Sequence, residues 1–169
     1  MGLNKVFAKY FIASNDALNE NRHTCKECGG ACCKGMGCHI SPNDMKNITF
    51  DSIVSLMKET NCISVDWYEG HPTNANKRGP HYFLRIRNNN GSMIDPSWGG
   101  QCCLLGEDGC PLSFKYRPLG GRALQPKDEH NKVCTSGYSK AQCTLDWLPY
   151  QDILEKVFDY FDDFRVMCE

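Results

Sequence analysis

Five cysteines fall within fourteen residues near the start of this chain, and they constrain its fold more than any other feature. They are Cys25, Cys28, Cys32, Cys33 and Cys38. A thiolate is a strong, soft metal ligand, and two cysteines separated by two residues can bind one ion with little backbone strain. The glycines between them let the chain wrap tightly around such a centre. The pattern predicts a cysteine-ligated metal site.

Further cysteines follow in the second half of the chain, at Cys102, Cys103, Cys110 and Cys134. Residues 1–20 carry charged and polar side chains among the apolar ones, which argues against a secretory signal. Cysteines in a cytosolic protein indicate metal binding or redox chemistry rather than a disulfide framework. No run approaches eighteen apolar residues, so no membrane-spanning helix is expected. We therefore expect a cytoplasmic protein that has no membrane partner.

Acidic and basic residues are almost balanced, with a formal net charge of −1. This balance gives no electrostatic footprint for nucleic acid. Four basic residues lie close to the cysteines in sequence: Lys26, Lys34, Arg117 and Arg122. They either offset the negative charge of metal-bound thiolates or are ordinary surface residues, and the sequence leaves both interpretations open.

Apolar spacing predicts helices at both ends of the chain and one between them. The N-terminal helix is expected within residues 1–20, and the cysteine run after it is expected to be irregular. Ser41 is predicted to cap a helix start, and Thr49 to cap a helix over residues 50–60. The C-terminal helix is predicted over residues 146–166, with Asp146 as its cap.

Alternation of apolar residues predicts a strand over residues 62–68 and another over 81–87, joined by a loop. The sequence Asn88-Asn89-Asn90-Gly91 predicts a tight turn that leads into a returning strand at 92–94. The fold class we expect is α+β. It is a small irregular domain over residues 1–169, with terminal helices packed together, a short β-hairpin and long loops rich in Cys and Gly. Because residues 96–145 show little periodicity, we expect metal ligation within the cysteine-cluster region, 25–134, to hold them.

One zinc ion or one cubane cluster takes four ligands, so these thiols suit two centres, or one centre with spare thiols. Adjacent Cys32 and Cys33 point in different directions in most backbone conformations, so they more easily serve two centres. A first centre would then use Cys25, Cys28 and one member of the pair. The other member would join distant thiols such as Cys102, Cys110 or Cys134.

Three features together resemble the CxxCxxCC family of prokaryotic cysteine-cluster proteins, which are called YkgJ-like and described as zinc- or iron-chelating. They are Cys25-x2-Cys28-Gly-Gly-x-Cys32-Cys33, the block from Cys102 to Gly-Cys110, and Arg117-Pro118. The resemblance spans about two thirds of the chain. It implies metal-ligand roles for Cys25, Cys28, Cys32, Cys33, Cys102 and Cys110, and for Cys134 by a looser match.

The family commonly has a further cysteine three residues after the Arg-Pro proline, where this chain has Gly121. Cys38 or Cys103 would replace the missing ligand, or one centre would keep an open coordination position. All-thiolate sets suit zinc and iron–sulfur equally. The grouped cysteines and the resemblance favour an iron–sulfur cluster, [4Fe–4S], while zinc stays the alternative because four-cysteine zinc sites are common structural devices.

Three function classes remain open on this basis. The first is a structural or metal-carrying binding protein. The second is an oxidoreductase or a peptide- or protein-modifying enzyme, with a peptide, protein or redox partner. The third is an interaction module shaped by its metal. Cys62, Cys143 and Cys168 are expected to be buried or free thiols, and His39, beside Cys38, is the only histidine that the sequence offers as a candidate ligand.

Overall fold

The chain forms a small α+β domain in which helices surround two small antiparallel sheets. The computed structural model describes residues 2–18, 20, 22–96, 99–126 and 134–167. The α-helices are α1 (Leu3–Tyr10), α2 (Arg22–Cys28), α3 (Ala31–Gly35), α4 (Phe50–Thr60), α5 (Leu119–Arg122), α6 (Lys140–Trp147) and α7 (Gln151–Met167). The strands are β1 (His39–Ile40), β2 (Ile63–Glu69), β3 (Pro80–Ile86), β4 (Leu124–Pro126) and β5 (Cys134–Ser136).

The main sheet has the order β1-β3-β2, and all its pairs are antiparallel. β2 and β3 form a hairpin whose register pairs Ile63 with Ile86 and Glu69 with Pro80. β1 adds only two residues, with His39 opposite Arg85. The structure therefore contains a short hairpin, as expected, but it joins β2 to β3 through the polar stretch between them and not β3 to residues 92–94.

The prediction of a returning strand at residues 92–94 is wrong. The turn itself forms, since the Gly91 amide donates to the Asn88 carbonyl at 3.0 Å. The chain then runs beside β2 instead of β3. The Val65 amide donates to the Met93 carbonyl at 2.8 Å, and the Asp95 amide donates to the Val65 carbonyl at 3.1 Å.

Helix α4 matches its prediction at both ends. The Thr49 hydroxyl accepts a hydrogen bond from the Ser52 amide at 3.3 Å and so caps the helix. The four apolar residues predicted to face inward are all buried: Ile53, Val54, Leu56 and Met57. The cap predicted at Ser41 is also present, although it starts only a single 3₁₀ turn, Pro42–Asp44.

The N-terminal helix is shorter than predicted, because α1 ends at Tyr10. Beyond it the chain is extended and bonds to the segment that follows the Ser41 cap. The Ile12 amide donates to the Asp44 carbonyl at 2.8 Å, and the Lys46 amide donates to the Tyr10 carbonyl at 2.9 Å. Tertiary pairing thus overrides the helical spacing of the later apolar residues.

The C-terminal helical region begins earlier than predicted. Ser139 caps α6 by accepting from the Gln142 amide at 3.1 Å, and Asp146 lies inside that helix. A 3₁₀ turn, Leu148–Tyr150, absorbs Pro149 and leads into α7. Both α1 and α7 pack against α4. The predicted core position Phe164 has its side chain outside the described residues.

The described part of the chain contains no helix long and apolar enough to cross a membrane. Between β3 and α5 it contains only one regular element, the 3₁₀ turn Phe114–Tyr116, apart from isolated bridges. This long irregular segment carries three of the predicted ligand cysteines: Cys102, Cys103 and Cys110.

Candidate metal centre

The sequence predicted that the cysteine run would be irregular. The structure instead shows two short helices there, α2 and α3. Cys25 and Cys28 are three residues apart on α2, so their side chains lie on one face of it. The Cys28 thiol donates to the Cys25 carbonyl at 3.5 Å. Helical spacing thus gathers these two thiols.

A turn of two glycines reverses the chain between α2 and α3. Gly29 and Gly30 have φ angles of 61° and 68°, in the left-handed region where a side chain is strained. A Cβ on Gly30 would also lie 2.5 Å from a methyl group of Leu105. The glycines therefore allow both the turn and its close packing against the segment that holds Cys102 and Cys110.

A first group of thiols, which we call group A, consists of Cys25, Cys28, Cys32 and Cys134. Burial raises the pKa of the Cys25 thiol, and the nearby thiols of Cys32 and Cys28 raise it further. Burial raises the pKa of Cys134 to about 11, and the next contributions come from Cys32 and Cys25. These mutual effects indicate that the four thiols are neighbours, with β5 supplying Cys134 from more than a hundred residues away.

A second group, which we call group B, consists of Cys33, Cys38, Cys102 and Cys110. The Cys102 amide donates to the Cys33 carbonyl at 2.7 Å, and the Ile86 amide donates to the Cys38 carbonyl at 2.8 Å. Burial raises the pKa of Cys102 to about 12, and the adjacent Cys103 and then Cys110 contribute to the rise. Burial also raises the pKa of Cys38 well above its usual value, and Cys102 and Cys110 add to that.

The two groups meet at the adjacent pair. The sulfur atoms of Cys32 and Cys33 are 3.9 Å apart. Their hydrogen bond lowers the pKa of Cys32 to about 6 and raises that of Cys33. Beyond this contact their neighbours differ. Cys134 interacts with Cys32, whereas Cys102 and Cys38 interact with Cys33.

A cavity of about 420 Å³ lies between the two groups. Seven thiols line it: Cys25, Cys32, Cys33, Cys38, Cys102, Cys110 and Cys134. Among the described residues, however, no three His, Cys, Asp or Glu side chains stand close enough together to hold a single metal ion. The thiols therefore line a cavity, but they do not converge on a single position that a metal ion could occupy.

Cys103, a predicted candidate ligand, lies outside both groups. Its thiol is 3.8 Å from the Cys62 carbonyl, and its contact with the Cys62 thiol has the largest effect on the pKa of each, lowering that of Cys103. Cys62, expected to stand alone, is buried beside this partner. No sequence signal links the two, since they are 41 residues apart.

Cys38 lies beside the position at which the family resemblance expects a cysteine. A Cβ built on Gly121 would lie 3.2 Å from the Cys38 sulfur. Residue 121 thus borders group B, and Cys38, directly before β1, borders the same space. Of the two replacement thiols that the sequence offered, Cys38 lies beside Gly121, whereas Cys103 contacts Cys62.

The nearby basic residues differ in what they face. Arg117 lines the cavity, and its positive charge lowers the pKa of both Cys25 and Cys38. Arg122 instead pairs with Asp44 at 3.1 Å and with Asp16 at 2.7 Å. Lys26 pairs with Asp108 at 3.3 Å on the exposed surface. Of these three, Arg117 is the cation placed to offset thiolate charge.

His39 is buried beside the cavity, where burial lowers its pKa to about 4, and it is therefore neutral near pH 7. Its Nε2 has no hydrogen-bond partner among the described residues. Cys143, expected to be buried, is fully buried in α6, where its thiol donates to the Ile40 carbonyl at 3.5 Å. Cys168 lies outside the described residues.

Comparisons with protein-family models, with curated proteins and with solved structures returned no match. The resemblance stated above therefore depends on the motif residues alone. It is also inexact, since three residues separate Cys28 from Cys32 where the motif that names the family has two.

Proposed function

We propose that this chain is a cytoplasmic iron–sulfur protein that holds two [4Fe–4S] clusters, one on each group of thiols. Group A (Cys25, Cys28, Cys32 and Cys134) and group B (Cys33, Cys38, Cys102 and Cys110) each offer the four thiolates that one such cluster takes. The observation that carries the proposal is this division into two sets of four thiols, of which all but Cys28 line one cavity. All eleven cysteines within the described residues are free thiols, which fits a reducing compartment.

The spacing of the thiols supports a cluster over a single ion. Tetrahedral zinc with bonds of about 2.3 Å holds its four sulfurs about 3.8 Å apart. The Cys32 and Cys33 sulfurs, 3.9 Å apart, are near that spacing, but they belong to different groups. A cubane of four iron and four sulfide atoms needs its ligands spread around a larger volume, which the cavity provides.

Charge supports the same proposal. Four thiolates around a [4Fe–4S]²⁺ core leave a formal charge of about −2. A buried negative charge needs compensation. The guanidinium of Arg117 is close enough to both groups to lower thiol pKa values in each, so it supplies part of that compensation.

The role we propose is electron transfer to or from a redox partner protein. With four thiolates in each group, and with Cys38 in the space beside Gly121, neither cluster keeps an open position for substrate. Catalytic metal sites keep such a position, whereas closed sites do not. The adjoining Cys32 and Cys33 would bring the two clusters close together, which suits the passage of an electron between them.

The alternative is a zinc-binding structural or interaction protein, and one observation favours it. The contact of 3.9 Å between Cys32 and Cys33 is close to the sulfur spacing around zinc. Both thiols would then bind one ion, with the remaining thiols drawn in around it.

The test is metal content and spectroscopy of the full chain, purified without oxygen. Two clusters predict about eight iron and eight sulfide atoms per chain, and a paramagnetic signal after reduction with dithionite. The substitutions Cys28→Ser in group A and Cys110→Ser in group B should each remove about half of the iron. The matched control, Cys103→Ser, should keep it all, because Cys103 lies with Cys62.

Stoichiometric zinc without sulfide would overturn the iron–sulfur proposal and support the alternative. Paired disulfides in folded, metal-free protein would overturn both. If a Cys103→Ser variant loses as much iron as Cys110→Ser, the assignment of the cysteines to the two groups is wrong.

A further inference from the structure

Arg117 carries a buried hydrogen-bond donor that nothing in the described residues accepts. The side chain is 12% exposed, and its Nη2 donates to Glu20 at 2.8 Å and to the Leu112 carbonyl at 3.2 Å. Its Nε, by contrast, is buried and has no partner there. A buried donor left unpaired costs about 1–3 kcal/mol. A group that accepts from it would therefore stabilise the loaded protein.

The middle of the Arg117 side chain faces the sulfur of Cys38. The point at which a Gly121 Cβ would stand is 3.0 Å from Arg117 Cγ, 3.1 Å from its Cδ and 3.2 Å from the Cys38 sulfur. Because Gly121 has no side chain, nothing from residue 121 separates the two. Nε is bonded directly to Cδ, so the unpaired donor belongs to the part of Arg117 that borders group B.

Glu20 makes the charge around Arg117 asymmetric. The charges of both Arg117 and Glu20 act on Cys25, in opposite directions. Glu20 pairs with the Nη2 end of Arg117 at 2.8 Å, whereas the Cγ and Cδ of Arg117 border the same space as the Cys38 sulfur. Group A therefore experiences a partly neutralised ion pair, whereas group B experiences the cation more directly.

We infer that Arg117 donates its Nε–H to a sulfur of the group B cluster and raises the reduction potential of that cluster above that of group A. This inference rests on the proposed function, because it requires bound clusters. Reduction adds negative charge, which a nearby cation stabilises, and hydrogen bonds to cluster sulfurs also set the potential. Arginine suits the role because its guanidinium stays charged at every accessible pH.

The experiment is a redox titration of the full chain, followed by EPR, on wild type and three variants. Arg117→Gln removes the cation. At a fixed solution potential, the ratio of reduced to oxidised group B cluster should fall about tenfold, which corresponds to a reduction potential lower by about 59 mV. The group A cluster should move less. Arg117→Lys keeps a charge but no donor at the ε position, so its potential should fall between those of Arg117→Gln and wild type.

The control is Lys115→Gln, which removes an exposed cation two residues away and should leave both potentials unchanged. Glu20→Gln gives a second test if Arg117→Gln fails to fold. Removing this carboxylate should raise the potential of group A. Wild-type protein without clusters would defeat the proposed function. Clusters that load fully in every variant, with potentials equal to those of Lys115→Gln, would defeat this inference alone.

Discussion

The sulfur of Cys38 lies 3.2 Å from the point at which a side chain on Gly121 would begin. The two positions come from different parts of the fold, the residue before β1 and helix α5, and border the same space. A thiol at either position would therefore lie beside group B. Position 121 is where the family resemblance expects a cysteine, and Cys38 offers a thiol there from the neighbouring segment.

This relationship predicts that the ligand can be moved back. Cys38→Ala should lose about half of the bound iron, because group B keeps only three thiolates. Adding Gly121→Cys should restore the iron, since the new Cβ stands beside the vacated sulfur position. The Arg117 methylenes at 3.0 and 3.1 Å would have to shift slightly, which a flexible side chain allows. Iron and sulfide analysis of anaerobic protein measures both outcomes.

The matched control for this relocation is Cys38→Ala with Gly121→Ala, which changes the backbone position equally and adds no thiol. It should hold as little iron as Cys38→Ala alone. Equal iron in the alanine and cysteine versions of residue 121 would show that position 121 does not reach the cluster.

The position immediately before Cys38 requires a glycine for steric reasons. A Cβ there would lie 1.9 Å from the Ile86 carbonyl oxygen, which belongs to the backbone and moves only with β3. Gly37→Ala should therefore destabilise the protein by about 3 kcal/mol, measured as the free energy of unfolding in urea. Gly35→Ala is the control, because a Cβ on Gly35 meets nothing within 4 Å. Equal stability of the two variants would contradict the prediction.

Local sequence signals predicted the structure correctly where residues close in sequence determine it. Helix α4 is such a case, because Thr49 and the inward apolar residues lie within the helix or directly beside it. The returning strand failed because Val65, almost thirty residues earlier, captures the segment that contains Met93. Spacing rules carry no information about such a partner.

The same distinction between local and long-range signals applies to the candidate site. The CxxC spacing predicted the pairing of Cys25 with Cys28, and the adjacency of Cys32 and Cys33 predicted that they would serve different groups. Which distant thiol joins which group depends on β1, β5 and the irregular middle segment. For that reason the sequence named Cys134 with Cys102 and Cys110 as a thiol of the second centre, whereas its thiol neighbours are Cys32 and Cys25, and it gave Cys62 no partner.

A buried ion pair predicts a second stability effect, away from the thiols. Arg85 is fully buried, and its Nε donates to Asp66 at 2.8 Å, while Nη2 reaches Asp95 at 3.0 Å. Arg85→Met should cost about 3–5 kcal/mol, because the buried Asp66 carboxylate loses its closer charged partner and keeps the more distant Lys140 ammonium at 3.8 Å. The double variant with Asp66→Asn should recover part of that loss, since it removes the stranded charge. Urea unfolding measures both, and a double variant less stable than Arg85→Met would refute this account.

Removal of iron should loosen the irregular middle of the chain and leave the sheet intact. Residues 99–126 have few regular hydrogen bonds of their own, and Cys102 and Cys110 are their proposed attachments to the clusters. Binding of metal and folding are coupled in such segments. Hydrogen exchange of chelator-treated protein should therefore accelerate strongly in residues 99–126. Exchange in α4 should change little, because its protection comes from the buried apolar face. Equal protection of both segments with and without iron would mean that packing alone orders the middle of the chain.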